Sequence, residues 1–142
     1  MARSVLSADV SWNEHQVQST AKIRQHQLTI DEPSAWGGED GGANPVELIL
    51  AGLGGCLTVL LTAFAPSHGV QLDHVTVHVE GDLDPDGFMG TNPSVRCGFS
   101  AIRYRIDLES QSSEENIAAL IAHADRVCPV KDTLSGVPVQ AL

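Results

Sequence analysis

A chain of 142 residues, 42% of them hydrophobic, is the size of one domain and carries enough apolar material for a core. Its 18 acidic and 8 basic residues leave a net charge of −10, a field that repels phosphate backbones and anionic lipid, so neither nucleic acid nor a membrane is an expected partner. Three widely spaced cysteines, Cys56, Cys97 and Cys128, form no CxxC or zinc spacing, and MARSVLSADVSW lacks the apolar stretch of a secretory signal, so a cytoplasmic protein with reduced thiols is expected.

No repeat or linker divides the chain, and residues 1–142 read as a single domain. Residues 8 to 31 alternate loosely, with Val10, Trp12, Val17, Ile23, Leu28 and Ile30 as apolar points, which predicts two or three strands in a meander. DEPSAWGGEDGGAN, at 31 to 44, is a loop. Asn44 and Pro45 then suit the N-cap and first position of a helix running to about Ser67, with Gly69 ending it. Leu48 to Ala65 is 18 residues without a charge, at the lower limit for a membrane span. With Gly52, Gly54 and Gly55 inside it and no basic flanks, it reads instead as a helix buried all round, in the middle of a domain or dimer.

Val75, Val77 and Val79 alternate with His74, Thr76, His78 and Glu80, predicting a half-buried strand within 71 to 83. DPDG, at 84 to 87, is a turn. A second strand is expected over 99 to 108, with Ile102, Tyr104 and Ile106 on its inner face. Ser112 or Ser113 starts a helix with Ile117, Leu120, Ile121 and Ala124 at helical spacing. That helix reaches about Val127, where Pro129 limits it, and a last short strand is expected around Val137 to Gln140. The order ββ(β)-α-ββ-α-β is α+β with mostly antiparallel sheet.

Cys56 lies mid-helix in GLGGCLTVLL, where a cysteine packs like a small hydrophobe. The neighbouring glycines weaken the helix, which points to close approach of a backbone or a ligand. Cys128, after the second helix in RVCPV, meets a helix C-terminus, whose dipole disfavours thiolate; it suits a resolving thiol better than a first nucleophile. Cys97, in VRCGF, reads as structural. His74 and His78 share a strand face but are about 13 Å apart, too far to bridge one metal ion. The sequence calls for no metal or cofactor.

NPVELILAGLGGC at 44 to 56, VEGDLD at 79 to 84, GF at 98 to 99 and CPVKDTL at 128 to 134 resemble, in order, the OsmC/Ohr superfamily. RQHQLTIDEP at 24 to 33 and the GG-x-D-GG loop are similar to its OsmC-like branch. The resemblance implies an OsmC-like α+β fold with a long buried central helix, in an intertwined homodimer. It also implies reduction of organic hydroperoxides, with Cys56 as peroxidatic and Cys128 as resolving thiol, and a dithiol as reductant. Peroxidases of this superfamily place a glutamate directly after the proline and an arginine in the first hairpin. This chain has Val46 and then Glu47, and WNEHQ at 12 to 16; Glu47 and Arg24 are the candidate substitutes. Nine residues separate Glu47 from Cys56, which puts them on opposite faces of a straight helix.

A thiol-dependent hydroperoxide reductase is therefore the first expectation. The alternative is a binding protein or redox sensor whose apolar pocket Cys56 merely lines. A hydrolase pairing Cys56 with a histidine ranks last, because no histidine can be placed beside it.

Overall fold

The computed structural model describes residues 2–136, so the strand expected at Val137 to Gln140 lies outside the described residues. The chain forms two compact units, residues 1–49 and 50–142. In the first, β1 (Asp9–Trp12), β2 (Ser19–Ile23) and β3 (His26–Ile30) make an antiparallel meander in that order. Its register runs Val10 to Ala21 and Ala21 to Leu28. Ala21 is buried, while the apolar points Val10, Trp12 and Val17 are exposed.

The glycine-rich loop after β3 wraps a buried carboxylate. Asp31 accepts hydrogen bonds from the backbone N–H groups of Glu32 (2.8 Å) and Gly41 (3.0 Å) and from the Gln18 side chain (3.4 Å). These donors, Gly41 first, hold its pKa below the ordinary value against the opposing effect of burial. A side chain at Gly38 would put its Cβ 2.0 Å from the Glu32 carbonyl oxygen, so glycine is required there by space.

Helix α1 (Pro45–Phe64) begins within the first unit and continues into the second. Its start is a capping box: the Asn44 side chain accepts from the Glu47 N–H at 2.8 Å, and the Glu47 carboxylate accepts from the Asn44 N–H at 2.9 Å. Beyond Phe64 a 3-10 turn (Pro66–His68) leads to Gly69 at φ 67°.

In the second unit, β4 (His74–Asp82) and β5 (Ala101–Glu109) pair antiparallel, with Val77 opposite Ile106 and Glu80 opposite Arg103. The inner face carries Val75, Val77, Val79, Ile102, Tyr104 and Ile106, as the alternation predicts. It packs under Leu53, Leu57 and Leu61 of α1 and under Leu120 and Ala124 of α3 (Glu114–Val127). Gly54 lets α1 settle onto β4: a Cβ there would lie 3.2 Å from the Val79 side chain. On the outer face Arg103 pairs with Glu80 (2.5 Å) and Asp82 (2.9 Å).

The central helix buries one face within a single chain, and two expectations about a turn and a helix end are corrected. Leu53, Gly54, Leu57 and Leu61 are buried, whereas Gly52, Gly55, Val59 and Ala63 form an exposed apolar face. By length and composition this helix could cross a membrane, with 22% of its most apolar window buried. DPDG is a single helical turn, α2 (Pro85–Phe88), capped by the Asp84 side chain. Pro129 does not simply limit α3; it is the first residue of a further helix, α4 (Pro129–Gly136), which the sequence reading missed because proline opens helices as readily as it ends them.

Candidate functional site

Two helix ends meet at the thiols. Cys56 projects from the middle of α1, and Cys128 joins α3 to α4. The Cys128 carbonyl accepts the Asp132 N–H at 3.0 Å, the first bond of α4. Its sulfur accepts the Lys131 N–H at 3.5 Å, so the cysteine is the side-chain cap of that helix. Cys128 thus stands not only at the C-terminus of α3 but also at the start of α4, with its sulfur on a first-turn amide of that helix.

The two sulfurs lie 3.1 Å apart, both as free thiols. Cys128 is 2% exposed and Cys56 is half-buried. Burial pushes the Cys56 thiol above its ordinary value of 9.0; the Val130 N–H opposes this, and the shared hydrogen bond and charge of Cys128 add to it. Among the described residues no histidine contributes to that shift, which leaves the Cys–His hydrolase without support.

The Glu47 carboxylate is engaged in the capping box. Arg24 occupies the β2–β3 turn at φ 55°, exposed, and forms no ion pair among the described residues. Cys97, read from the sequence as structural, is exposed in the segment leading to β5. His74 and His78 point outward, to Thr76 (3.0 Å) and Glu80 (3.2 Å). Among the described residues no three His, Cys, Asp or Glu side chains gather as a metal site.

A polar cluster missed in the sequence stands beside the thiols. Lys131 donates to Asp125 at 2.6 Å, Tyr104 donates to the same carboxylate oxygen, and the Lys131 ammonium lies 5.8 Å from the centre of the Tyr104 ring. The available signal was CPVKD read as a helix start, which places Lys131 and Asp132 in its first turn. Next to this cluster is a pocket of about 270 Å³, lined by Leu53, Phe99, Ile102, Tyr104, Lys131 and Leu134 among others.

An α+β protein with two apposed thiols at a helix junction is thus defined by fold and site. The family model for OsmC-like proteins matches residues 38–141, and the chain belongs to that family. A hydroperoxide reductase of Mycoplasma genitalium is 28% identical over 96 residues, covering 67% of this chain but only 64% of that relative. The crystal structure of an OsmC-like protein from Mycoplasma pneumoniae is 23% identical and covers 96% of this chain and 91% of that one, with a TM-score of 0.81. An organic hydroperoxide resistance protein from Legionella pneumophila is 21% identical, covers 96% and 93%, and has a TM-score of 0.69. At these identities the solved structures establish the shared fold.

Proposed function

We propose that this protein is a two-cysteine thiol peroxidase that reduces organic hydroperoxides. The observation that carries the reading is the 3.1 Å separation of Cys56 and Cys128, thiols 72 positions apart in sequence. The Cys56 thiolate attacks the terminal oxygen of ROOH; the O–O bond breaks, RO⁻ leaves and takes a proton to become ROH, and Cys56 becomes a sulfenic acid. The Cys128 sulfur then attacks the sulfenic sulfur, the S–O bond breaks, water leaves, and a disulfide forms. An external dithiol returns both cysteines to thiols by exchange. The greater exposure of Cys56 favours it as the attacking sulfur, and Cys128, two per cent exposed, suits the resolving step.

The same reading includes a cytoplasmic homodimer. The face of α1 formed by Gly52, Gly55, Val59 and Ala63 is apolar and exposed, and a second copy of the chain would cover it.

A second reading rests on the raised Cys56 pKa, which leaves little thiolate at neutral pH: a ligand-binding protein or redox sensor in which Cys56 turns over slowly. Mass spectrometry of the reduced protein after one equivalent of cumene hydroperoxide, with timed quenching, separates the two. A rapidly formed Cys56–Cys128 linked peptide supports the peroxidase. An unmodified Cys56 after minutes refutes it and favours the binding protein.

A further inference from the structure

Beyond the C-terminal end of α1, two imidazoles of the second unit face each other. His68 Nε2 and His123 Nδ1 lie 2.9 Å apart, although 55 positions separate them in sequence. His68 closes the 3-10 turn Pro66–His68. The His68 N–H (3.1 Å) and the Val70 N–H (2.9 Å) both donate to the Ala65 carbonyl, and Gly69 at φ 67° ends the turn. His123 projects from α3 against the Phe64 ring, with centroids 4.4 Å apart. Ala65 and Val70, which flank the turn, and Ala124, next to His123, belong to one buried cluster. The backbone on both sides is therefore anchored in core, and the two rings are held ready to meet.

A hydrogen bond between imidazoles places one proton between two nitrogens, and a metal ion can take that proton's place. Two imidazoles on one tetrahedral ion, with metal–nitrogen bonds of about 2.0–2.1 Å, hold their nitrogens about 3.3–3.4 Å apart and their ring centres about 5.2 Å apart. The centres of the His68 and His123 rings are 5.1 Å apart. Turning each ring about its own centre thus opens the nitrogens by the required half ångström or so, with the backbone where it stands. The displaced proton passes through solvent to the ring nitrogen facing away from the ion, and both imidazoles stay neutral ligands. Among the described residues neither ring is paired with a carboxylate, as His15 is with Glu39 and His78 with Glu80. Both rings are half-buried, which leaves the remaining coordination positions to water. The net charge of −10 draws a cation toward the chain.

We infer that His68 and His123 chelate a divalent transition-metal ion of the zinc class, with water completing a tetrahedron. The residues around this site belong to a different buried cluster from Cys56 and Cys128, and the inference stands independently of the peroxidase reading.

The test titrates the untagged, full-length, reduced protein with Co2+ under anaerobic conditions. Tetrahedral Co2+ absorbs in the visible, and a thiolate ligand adds an intense near-ultraviolet band, so the cysteines are told apart from the histidines. The wild type takes up one ion with visible bands that do not depend on the thiolate band, and Zn2+ displaces it. His68→Gln and His123→Gln keep a hydrogen-bonding amide in place but lose the ligand nitrogen. Each weakens uptake about tenfold or more, since even an outer-shell partner contributes that much to metal affinity. The double variant binds no more weakly than the weaker single one, because one imidazole cannot chelate. Uptake unchanged in either single variant, visible bands that arise only with the thiolate band, or no uptake at millimolar Co2+ overturns the inference. Should the variants fail to fold, nuclear magnetic resonance of the wild type decides. Bound Co2+ must shift the ring signals of His68 and His123 first; shifts centred on His15, His26, His74 or His78 instead overturn the assignment.

Discussion

Replacing Cys128 by serine isolates the forces that set the reactivity of Cys56. In the native site the thiol is raised above 9.0 by burial first and by the adjacent Cys128 sulfur in addition, with the Val130 N–H acting the other way. A thiol titrating above 9.0 is less than about 1% thiolate at pH 7, so oxidation should quicken about tenfold per pH unit from 6 to 8 without levelling. The serine variant removes the second sulfur's repulsion and shared proton but leaves burial in place. Its rate profile should therefore move to lower pH while keeping its shape. The assay is alkylation by iodoacetamide across pH, read at the Cys56 peptide so that exposed Cys97 does not confuse the signal, alongside oxidation by cumene hydroperoxide. With Cys128 gone, the oxidised product should be a sulfenic acid trapped by dimedone rather than a linked peptide. A wild-type profile that levels below pH 8, or a serine variant whose profile moves to higher pH, would refute this account of the site.

The capping box predicts that Asn44→Ala and Glu47→Ala each lower stability by about 1 kcal/mol in urea unfolding. Glu47→Gln, whose amide oxygen still accepts the Asn44 N–H, should lose much less; a large loss of peroxide turnover in a stable Glu47→Gln protein would instead assign Glu47 a chemical role. Leu57→Ala empties a fully buried position under the thiols and should cost about 2–5 kcal/mol, seen as a lower unfolding midpoint. Asp31 titrates below its unfolded value of 3.8, so its contribution is fully present above that pH and is lost as pH falls through the lower folded value. Acid unfolding followed by circular dichroism should show that loss, and Asp31→Asn should flatten it. On the dimer reading, Val59→Arg places a charge on the uncovered face of α1 and should halve the mass measured by light scattering.

Much of the fold was legible because local rules act over a few residues. The alternation of Val75, Val77 and Val79 needs only the pleat of one strand, and Asn44–Pro45 and Ser113 announce helix starts by satisfying nearby amides. Cys56 and Cys128 could be named as candidates from their motifs. Their apposition could not be read from spacing, since it depends on α1 and the α3–α4 junction packing over the same sheet face. Pro129 shows where local signals conflict: proline can end one helix or open the next, and the chain does both within three residues, which turned the surroundings of Cys128 from a helix end into a helix start. The Lys131–Asp125–Tyr104 cluster draws on three elements, and no short-range pattern ties them. The sequence by itself determined the elements, the polarity of their faces and the residues able to do chemistry, because those follow from propensity and periodicity. The tertiary structure decided which of these residues meet and what each thiol feels, because burial and hydrogen bonding are properties of neighbours far apart along the chain.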